Sequence, residues 1–349
     1  MRKIYRRTLV LVGIVICLLF AASFEAMAGE AELPFYKLRL SSEYPPENHQ
    51  TVALYDAAAK ISELTDGHVT ITVYPNLQLG DYTVVYGQVM TGDIDITASP
   101  ISPTYDQRIE ILNLPYLASD FNEFRKNFFP GSFIWDLTSD INEKNGTTLL
   151  GIFNAGFMGI GSTSFPSEAF AELTDGNIQK DVLLRTPASR VFVEIVSAMG
   201  YRTTTIPYAE LYSALQAGVA DGWIGGSALV NWDGFRDVIK CFLDANAVNE
   251  CIPISINTKL LKSMPEDYQK VITSTFLEMA NRVADERQQQ EEQAVANMKE
   301  FNIKVIEPTD EELAALRDRI REVVWNKMRD SLGDPLIDTL CDAYGVPKL

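Results

Sequence analysis

Few side chains in this sequence stand in arrangements that support catalysis. The two histidines, His49 and His68, belong to no recognisable triad, and no Gly-x-Ser-x-Gly nucleophile elbow occurs. No third histidine or cysteine lies at metal-ligand spacing from them, which argues against a metal site. A glycosidase with paired carboxylates stays an alternative because acidic residues are abundant, but no local motif supports one. The residue types therefore favour a protein with no catalytic residues and no cofactor.

Cysteine chemistry depends on the compartment. Three cysteines follow residue 28, namely Cys241, Cys251 and Cys341. In an oxidising compartment Cys241 and Cys251 could form a disulfide and leave one thiol over. The spacing leaves this pairing open.

A short pattern occurs twice and places polar or small residues at the ends of two strands. Each copy is a predicted helix (82–91 and 208–217), a glycine, two residues, an aspartate and a short strand. The corresponding pairs are Gly92 and Gly218, Asp95 and Asp221, and Ser99 and Gly225. Ligands of open α/β sheets bind outside the carboxyl ends of strands. The pattern is either a chance match of a common junction or the sign of two similarly built lobes that face each other across a cleft.

The first 28 residues have the composition of a cleaved signal peptide. The uncharged, mostly apolar run 8–22 precedes a small-x-small cleavage site at 26–28 and follows four basic residues, Arg2, Lys3, Arg6 and Arg7. The run is short for a bilayer span, and an uncleaved anchor is the alternative. We expect removal of residues 1–28 and export to the periplasm.

Acidic residues outnumber basic ones. The chain has 47 acidic and 30 basic residues, a net charge of −17. Removing residues 1–28 takes away four basic and one acidic residue, which leaves −20. This charge argues against nucleic acid and anionic membrane as partners. The remaining 321 residues exceed one ordinary domain, so we expect a monomer of two lobes.

Strands and helices alternate along the N-terminal part of the chain. Residues 36–41 and 69–74 read as strands, and residues 49–64 read as a helix between them. This alternation is typical of a parallel α/β sheet.

A long helix is predicted near the C-terminus. Pro265 suits the first position of a helix, and no glycine or proline follows before Pro308. The first half has an apolar face, whereas residues 285–293 are polar all round, which predicts a helix that leaves one core, crosses solvent and reaches another. A coiled-coil helix is the alternative. Thr309 and Glu312 then predict a capping box for a final helix to about Arg329.

Six segments carry a resemblance to the solute receptors of tripartite ATP-independent periplasmic (TRAP) transporters, the DctP-type family. They are YPNLQLG at 74–80, QVMTGDID at 88–95, LNLPYL at 112–117, NAGF at 154–157, LRTP at 184–187 and IPYAELYSALQAGVADG at 206–222. The last is the most specific, and together they cover nearly the whole chain after residue 28 in family-like order.

The resemblance implies a two-lobed periplasmic-binding-protein fold of the α/β class, with a ligand cleft between the lobes and a long helix spanning both. It implies lobe I at 29–157 with about 250–285, and lobe II at 158–249 with about 286–349. It implies a small organic acid as ligand and the subunits of a TRAP-type membrane permease as partners. In that family one arginine clamps the ligand carboxylate, and Arg185 holds that position here, where a planar guanidinium fork would match a carboxylate.

Two departures from the family pattern bear on the ligand. Met158 stands where a second arginine is usual, and Gly225 stands where a ligand-binding asparagine is common. Aromatic side chains lie nearby in sequence, which favours a carboxylate with an apolar or aromatic body over a sugar acid. For each aromatic taken singly, an ordinary core position is the more frequent case. By matching family positions, the further pocket candidates are Phe157, Tyr208, Trp223, Glu43, Asp81, Tyr82, Ser99 and Ser102.

The function predicted from these residues is that of an extracytoplasmic solute receptor rather than an enzyme. A secreted sensor of the same fold that signals through a partner protein is an alternative, and a secreted hydrolase is a weaker one.

Overall fold

A nine-stranded mixed sheet forms the centre of residues 34–348, which are the residues that the computed structural model describes. The predicted signal peptide at 1–28 lies outside them. Of the contact unit Met1–Tyr36 only the last three residues are described, and the account below concerns the second unit, Lys37–Leu349. The strands are β1 (Tyr36–Ser42), β2 (Val69–Tyr74), β3 (Ile96–Ala98), β4 (Thr147–Ser162), β5 (Leu183–Thr186), β6 (Arg202–Thr205), β7 (Gly222–Ser227), β8 (Cys241–Asn257) and β9 (Lys304–Ile306).

Helices connect and cover these strands. They are α1 (His49–Leu64), α2 (Tyr82–Thr91), α3 (Phe121–Phe128), α4 (Phe133–Lys144), α5 (Phe170–Thr174), α6 (Arg190–Ala198), α7 (Tyr208–Gln216), α8 (Ala228–Phe235), α9 (Thr258–Lys262), α10 (Glu266–Glu300), α11 (Asp310–Ile320), α12 (Arg329–Leu332) and α13 (Asp334–Tyr344), with a 3-10 helix at Gln107–Asn113 and a π-helical turn at Arg321–Trp325. The predicted helices at 49–64 and 82–91 and the strand at 69–74 are confirmed at both ends.

The strand order is β2-β1-β3-β8-β4-β7-β5-β6, with β9 beside β8. Parallel pairs form at β1–β3, β5–β6, β5–β7 and β8–β9. The two longest strands, β4 and β8, run antiparallel to each other, and they are also antiparallel to their neighbours β7 and β3, respectively. The expectation of a parallel sheet is therefore correct for the outer strands and wrong at the centre. Antiparallel β4 and β8 are paired across distant parts of the sequence, which local alternation does not reveal.

The sheet consists of two halves built in the same order. In the first half-sheet, β2-β1-β3-β8, the carboxylate of Asp95 accepts a hydrogen bond of 2.7 Å from the backbone N–H of Arg39 in β1. In the second half-sheet, β6-β5-β7-β4, the carboxylate of Asp221 accepts one of 2.8 Å from the N–H of Leu183 in β5. Each aspartate thus ties the loop after a helix to the neighbouring parallel strand. This matching role supports the repeated pattern as a feature of two similar lobes.

Helix α10 runs along both lobes. Its 35 residues extend for about 50 Å at 1.5 Å per residue, and it packs on β4, on α1 of the first lobe and on α8 of the second. The sequence predicted a polar, solvent-crossing middle, and this is wrong at Arg287, which is fully buried. Its guanidinium is accommodated there because Nε lies 2.6 Å from Glu291 Oε1, while Nη2 donates to the Ala155 carbonyl and to Ser227 Oγ at 2.8 Å.

The C-terminal helices differ from the prediction in extent. The capping box of Thr309 and Glu312 is confirmed at the start of α11. The helix does not continue evenly to Arg329, because a π-helical turn at Arg321–Trp325 follows it, and a further helix, α13, begins near Pro335. Trp325, within the π-helical turn, is fully buried and donates from Nε1 to the Pro115 carbonyl at 3.0 Å.

A disulfide between Cys241 and Cys251 does not form, and Cys341 is likewise a free thiol. Cys241 and Cys251 both lie in β8, ten positions apart along an extended strand. Such a separation corresponds to about 33 Å, far beyond the reach of a disulfide.

Candidate functional site

A cavity of about 60 Å³ lies between the two half-sheets at the carboxyl ends of β1 and β5. Six of the predicted site residues line it: Glu43, Tyr82, Met158, Arg185, Tyr208 and Gly225. Glu43 directly follows β1, Tyr82 and Tyr208 begin α2 and α7, and the other three lie in strands of the second half-sheet. Both halves of the sheet therefore contribute residues to the same cavity.

Arg185 provides the cation of this cavity. Its side chain is buried in β5, and Nε donates a hydrogen bond of 2.7 Å to the Ile206 carbonyl, which fixes the direction of the guanidinium. The two Nη groups donate to none of the residues 34–348 and keep accessible surface. Burial lowers the pKa of Arg185 below its ordinary value, and a guanidinium stays charged even so. The fork is thus free to bind an anion.

Gly225 lies beside this fork. Its φ is +133°, in the region that favours glycine, and an added Cβ would lie 3.5 Å from Arg185 Nη1. The small residue leaves open the space next to the guanidinium where a larger side chain would stand.

Two buried glutamates, Glu43 and Glu250, line the same cavity. Glu250 accepts a hydrogen bond from the Tyr44 hydroxyl and one of 3.2 Å from the Ser227 N–H. Burial raises the pKa of both carboxyls to about 8, and the charge of Glu250 adds to the shift of Glu43. At neutral pH both glutamates therefore retain a proton.

Glu250 was not among the residues predicted from the sequence. The signal that could have found it is the polar pair Asn249-Glu250 between the apolar residues Val248 and Cys251 of β8. Asn113, Phe192 and Cys251 line the cavity as well and carry no comparable signal.

An aromatic cluster supports the second-lobe wall. The ring of Tyr208 lies 6.1 Å from Phe235, and Trp223 lies 4.6 Å from Phe235. Trp223 is fully buried behind Gly225 and does not line the cavity, although it was predicted to. Its role in the structure is to support the strand end that carries Gly225.

Four other predicted site residues also lie away from the cavity lining. Ser99 and Ser102 are buried and pair with neighbouring hydroxyls, Thr97 at 2.7 Å and Thr104 at 2.9 Å. Asp81 caps α2 by accepting from the Thr83 N–H at 3.0 Å. Phe157 packs edge-on against Phe121 at 5.1 Å and lines a different cavity of about 460 Å³.

A third cavity, of about 180 Å³, shares Glu43 and Tyr208 with the first. Pro45 and Asn48 line it from the first lobe, and Asp233 lines it from α8 in the second. It continues the same cleft on the far side of Glu43 and Tyr208. The acidic second cavity has no such connection to Arg185 among its lining residues.

Residues 34–348 contain no group of three or more histidine, cysteine, aspartate or glutamate side chains arranged to hold a metal ion. Within the same residues, no helix has both the length and the apolar character needed to cross a membrane.

The mixed sheet in two halves, the cleft between them and the helix along both define a two-lobed solute-binding fold. Residues 40–330 match the model of the family described as bacterial extracellular solute-binding protein, family 7 (DctP), and the chain belongs to that family. The resemblance predicted from the sequence is confirmed.

Named relatives cover most of the chain. The sialic acid-binding periplasmic protein SiaP of Vibrio cholerae is 21% identical over 285 residues, which are 81% of this chain and 85% of SiaP. The C4-dicarboxylate-binding periplasmic protein DctP of Rhodobacter capsulatus is 27% identical over 288 residues, 79% of this chain and 82% of DctP. The crystal structure of a TRAP periplasmic solute-binding protein from Desulfovibrio salexigens with bound orotic acid superposes with a TM-score of 0.77 at 22% identity, covering 89% of this chain and 97% of that one.

Proposed function

We propose that this protein is an extracytoplasmic receptor that binds a small organic carboxylate at Arg185 and delivers it to a TRAP-type membrane permease. The observation that carries the proposal is the buried guanidinium, whose two Nη groups are free in a cavity between the lobes. A carboxylate offers two oxygens at the spacing of that fork.

The size of the cavity limits the ligand. A volume of about 60 Å³ accommodates roughly four to six water molecules, which is the scale of a small acid. The named relatives support the same chemical class, since sialic acid, C4-dicarboxylates and orotic acid all carry a carboxylate. The sequence-based preference for an apolar body finds support in Met158 and Phe192, and the two glutamates add a polar region that it did not include.

Family membership supports a proposal for the partner and the compartment. We propose that residues 1–28 are removed on export, that the remaining chain acts in the periplasm as a monomer, and that it binds and releases its ligand without chemical change. The lobe boundaries at 157–158, near 250 and near 285 remain part of this proposal.

Native mass spectrometry of protein recovered from the periplasm tests the proposal directly. We expect a mass that lacks residues 1–28 and a bound organic acid that mild heating releases unaltered. Uptake of that acid by cells should require both this gene and an adjacent permease. Recovery of a processed reaction product in place of the intact acid would contradict the proposal. A bound ligand that carboxylate compounds do not displace would contradict it as well.

A further inference from the structure

The cavity contains more acidic than basic groups. Among its lining residues within 34–348, Arg185 is the one cation, whereas Glu43 and Glu250 both contribute carboxyls. The charge of Asp81 also acts on Glu43 from just outside the lining. A simple anion bound at Arg185 would pair with the one positive charge, so the glutamates could ionise only beside a further cation.

Few hydrogen-bond donors reach the carboxyl groups of Glu43 and Glu250. Tyr44 is the hydroxyl that reaches both carboxyls, and it donates its single proton to Glu250. Glu250 also accepts the N–H of Ser227, so both of its oxygens have donors. Glu43 is buried, and no other described residue donates to its side chain. In its ionised form Glu43 would be a buried carboxylate without a donor of its own, and a donor on the ligand would supply one.

The surroundings of Glu43 favour a cationic donor. The rings of Tyr82 and Tyr208 line the cavity beside it, and aromatic faces attract cations. A second carboxylate on the ligand would instead bring a further negative charge next to the acidic groups, and Glu43 could not ionise beside it. A hydroxyl would supply a donor but no charge.

We propose that the ligand is a zwitterion, whose carboxylate binds Arg185 and whose protonated nitrogen group donates to Glu43 between Tyr82 and Tyr208. This inference rests on the proposed function and narrows its ligand class. Burial raises the pKa of Glu43 and of Glu250, so Glu43 is protonated before the ligand binds. The protonated nitrogen group of the ligand then takes the place of that proton.

Matched ligand pairs test the proposal, because each pair exchanges a charged nitrogen for carbon at nearly constant shape. The pairs are γ-aminobutyrate with pentanoate, proline with cyclopentanecarboxylate, and pipecolate with cyclohexanecarboxylate, and succinate serves as a ligand with two carboxylates. Thermal unfolding and calorimetry of the mature chain should show at least one nitrogen compound binding about tenfold or more tightly than its carbon match, a difference of about 1.4 kcal/mol.

Glu43→Gln should reduce that preference to within about threefold, because the amide keeps the shape and loses the charge. Glu47→Gln is the matched control, since Glu47 is exposed on the same loop and outside the cavity lining, and it should keep the preference. The wild-type comparison decides the matter even where a variant folds poorly.

The proposal is overturned if a carbon compound or succinate binds as tightly as every nitrogen compound, or if no zwitterion binds. Binding of carbon acids or succinate that Arg185→Ala abolishes would overturn the zwitterion and leave the carboxylate receptor intact. Failure of every acid, with or without nitrogen, would overturn both.

Discussion

At the scale of single residues, Arg185 combines burial with free hydrogen-bond donors. The chain after residue 28, Arg185 included, carries a net charge of −20, which repels an anion. Attraction therefore has to come from a local cation that is shielded from water. The Ile206 carbonyl holds Nε and orients the fork toward the cavity.

Replacing Arg185 should weaken ligand binding strongly. Hydrogen bonds to charged groups contribute about 1.5–3 kcal/mol, and truncating one partner of a buried charge pair costs about 2–5 kcal/mol. We therefore expect Arg185→Ala to reduce affinity about 30-fold to several thousand-fold, as measured by calorimetry on the folded variant. Arg185→Lys keeps the charge but loses the planar fork, and should remain clearly impaired.

Arg202→Ala is the matched control, because Arg202 lies in the neighbouring strand β6 and its side chain is exposed and paired with Asp181. It should bind ligand like the wild type. If Arg185→Ala binds the ligand within about twofold of the wild-type affinity, Arg185 does not bind the ligand carboxylate.

The buried glutamates predict a pH-dependent stability of the ligand-free protein. The pKa of Glu43 is about 8 in the folded state and near 4.3 in the unfolded state, so between these values the folded chain holds a proton that the unfolded chain has lost. The stabilisation contributed by protonated Glu43 is complete below the unfolded pKa and is lost as pH rises toward 8. For one such group, the free energy of unfolding falls by about 1.4 kcal/mol per pH unit in this range.

Urea unfolding at several pH values between about 5 and 8 measures this slope. Glu250, Asp233, Glu110 and Asp244 also have raised pKa values, so the wild-type slope contains their contributions. Glu43→Gln should make the slope shallower than that of the wild type. Equal slopes for wild type and Glu43→Gln would show that Glu43 is ionised in the folded protein.

Sequence patterns located the cation of the cavity and missed one of its acids for a physical reason. Arg185 stands in a specific motif, whereas Glu250 is one of two acidic residues, with Asp244, in a long and almost entirely buried strand. Such a residue acquires its meaning from the partners that folding brings to it, here Tyr44 and Ser227. Trp223 shows the reverse case, since a residue in the right motif points into the core behind the site.

At the scale of elements, α10 is held against the sheet by a buried charge. Arg287 connects the helix to the Ala155 carbonyl in β4 and to Ser227 at the end of β7, and Glu291 accepts from the Leu229 N–H at 3.0 Å. Because Ser227 also donates its N–H to Glu250, the helix and the cavity share a residue.

Arg287→Ala should lower the free energy of unfolding by about 3–5 kcal/mol, because it leaves buried acceptors and Glu291 without a partner. Arg282→Ala is the control on the same helix, since its pair with Asp56 is at the surface and should contribute at most about 1 kcal/mol. Chemical denaturation of both variants gives the comparison. If both variants lose a similar free energy of unfolding, the buried contacts of Arg287 contribute no more to stability than a surface ion pair does.

The elements were predictable where their signals were local. The ends of α1 and α2 and the capping box of α11 depend on residues within a few positions of one another. The antiparallel pairing of β4 with β8 depends on residues as distant as Thr147 and Asn257, and no local pattern encodes it. The buried middle of α10 was missed because Arg287 and Glu291 look like solvent-facing charges until the sheet packs on them.

At the scale of the whole molecule, the two lobes are joined by β4, β8 and α10. If α10 keeps the lobes in register during closure, a break in it should affect closure more than the stability of either lobe. The double change Gln289→Gly and Gln290→Pro removes a helix hydrogen bond and costs about 3 kcal/mol or more locally.

Small-angle scattering with and without a bound acid measures the effect. We expect the wild type to compact on binding and the double variant to compact less, at ligand concentrations that saturate both. Gln288→Ala, on an exposed position of the same helix, should behave like the wild type. Unchanged compaction in the double variant would show that β4 and β8 alone set the closure.

The central pairing also has a consequence for the order in which the chain can fold. Strand β3 lies between β1 and β8, and Ile96 pairs with Ile256, so the edge of β3 has no partner until the segment through Asn257 is present. Contacts between such distant segments slow folding, because the intervening chain must be closed into a loop first. A chain that emerges from its N-terminus would therefore complete the first half-sheet only once the segment through Asn257 is present. The second half-sheet, whose strands all lie between residues 147 and 227, can pair earlier, so the first half-sheet should be the last part of the sheet to form.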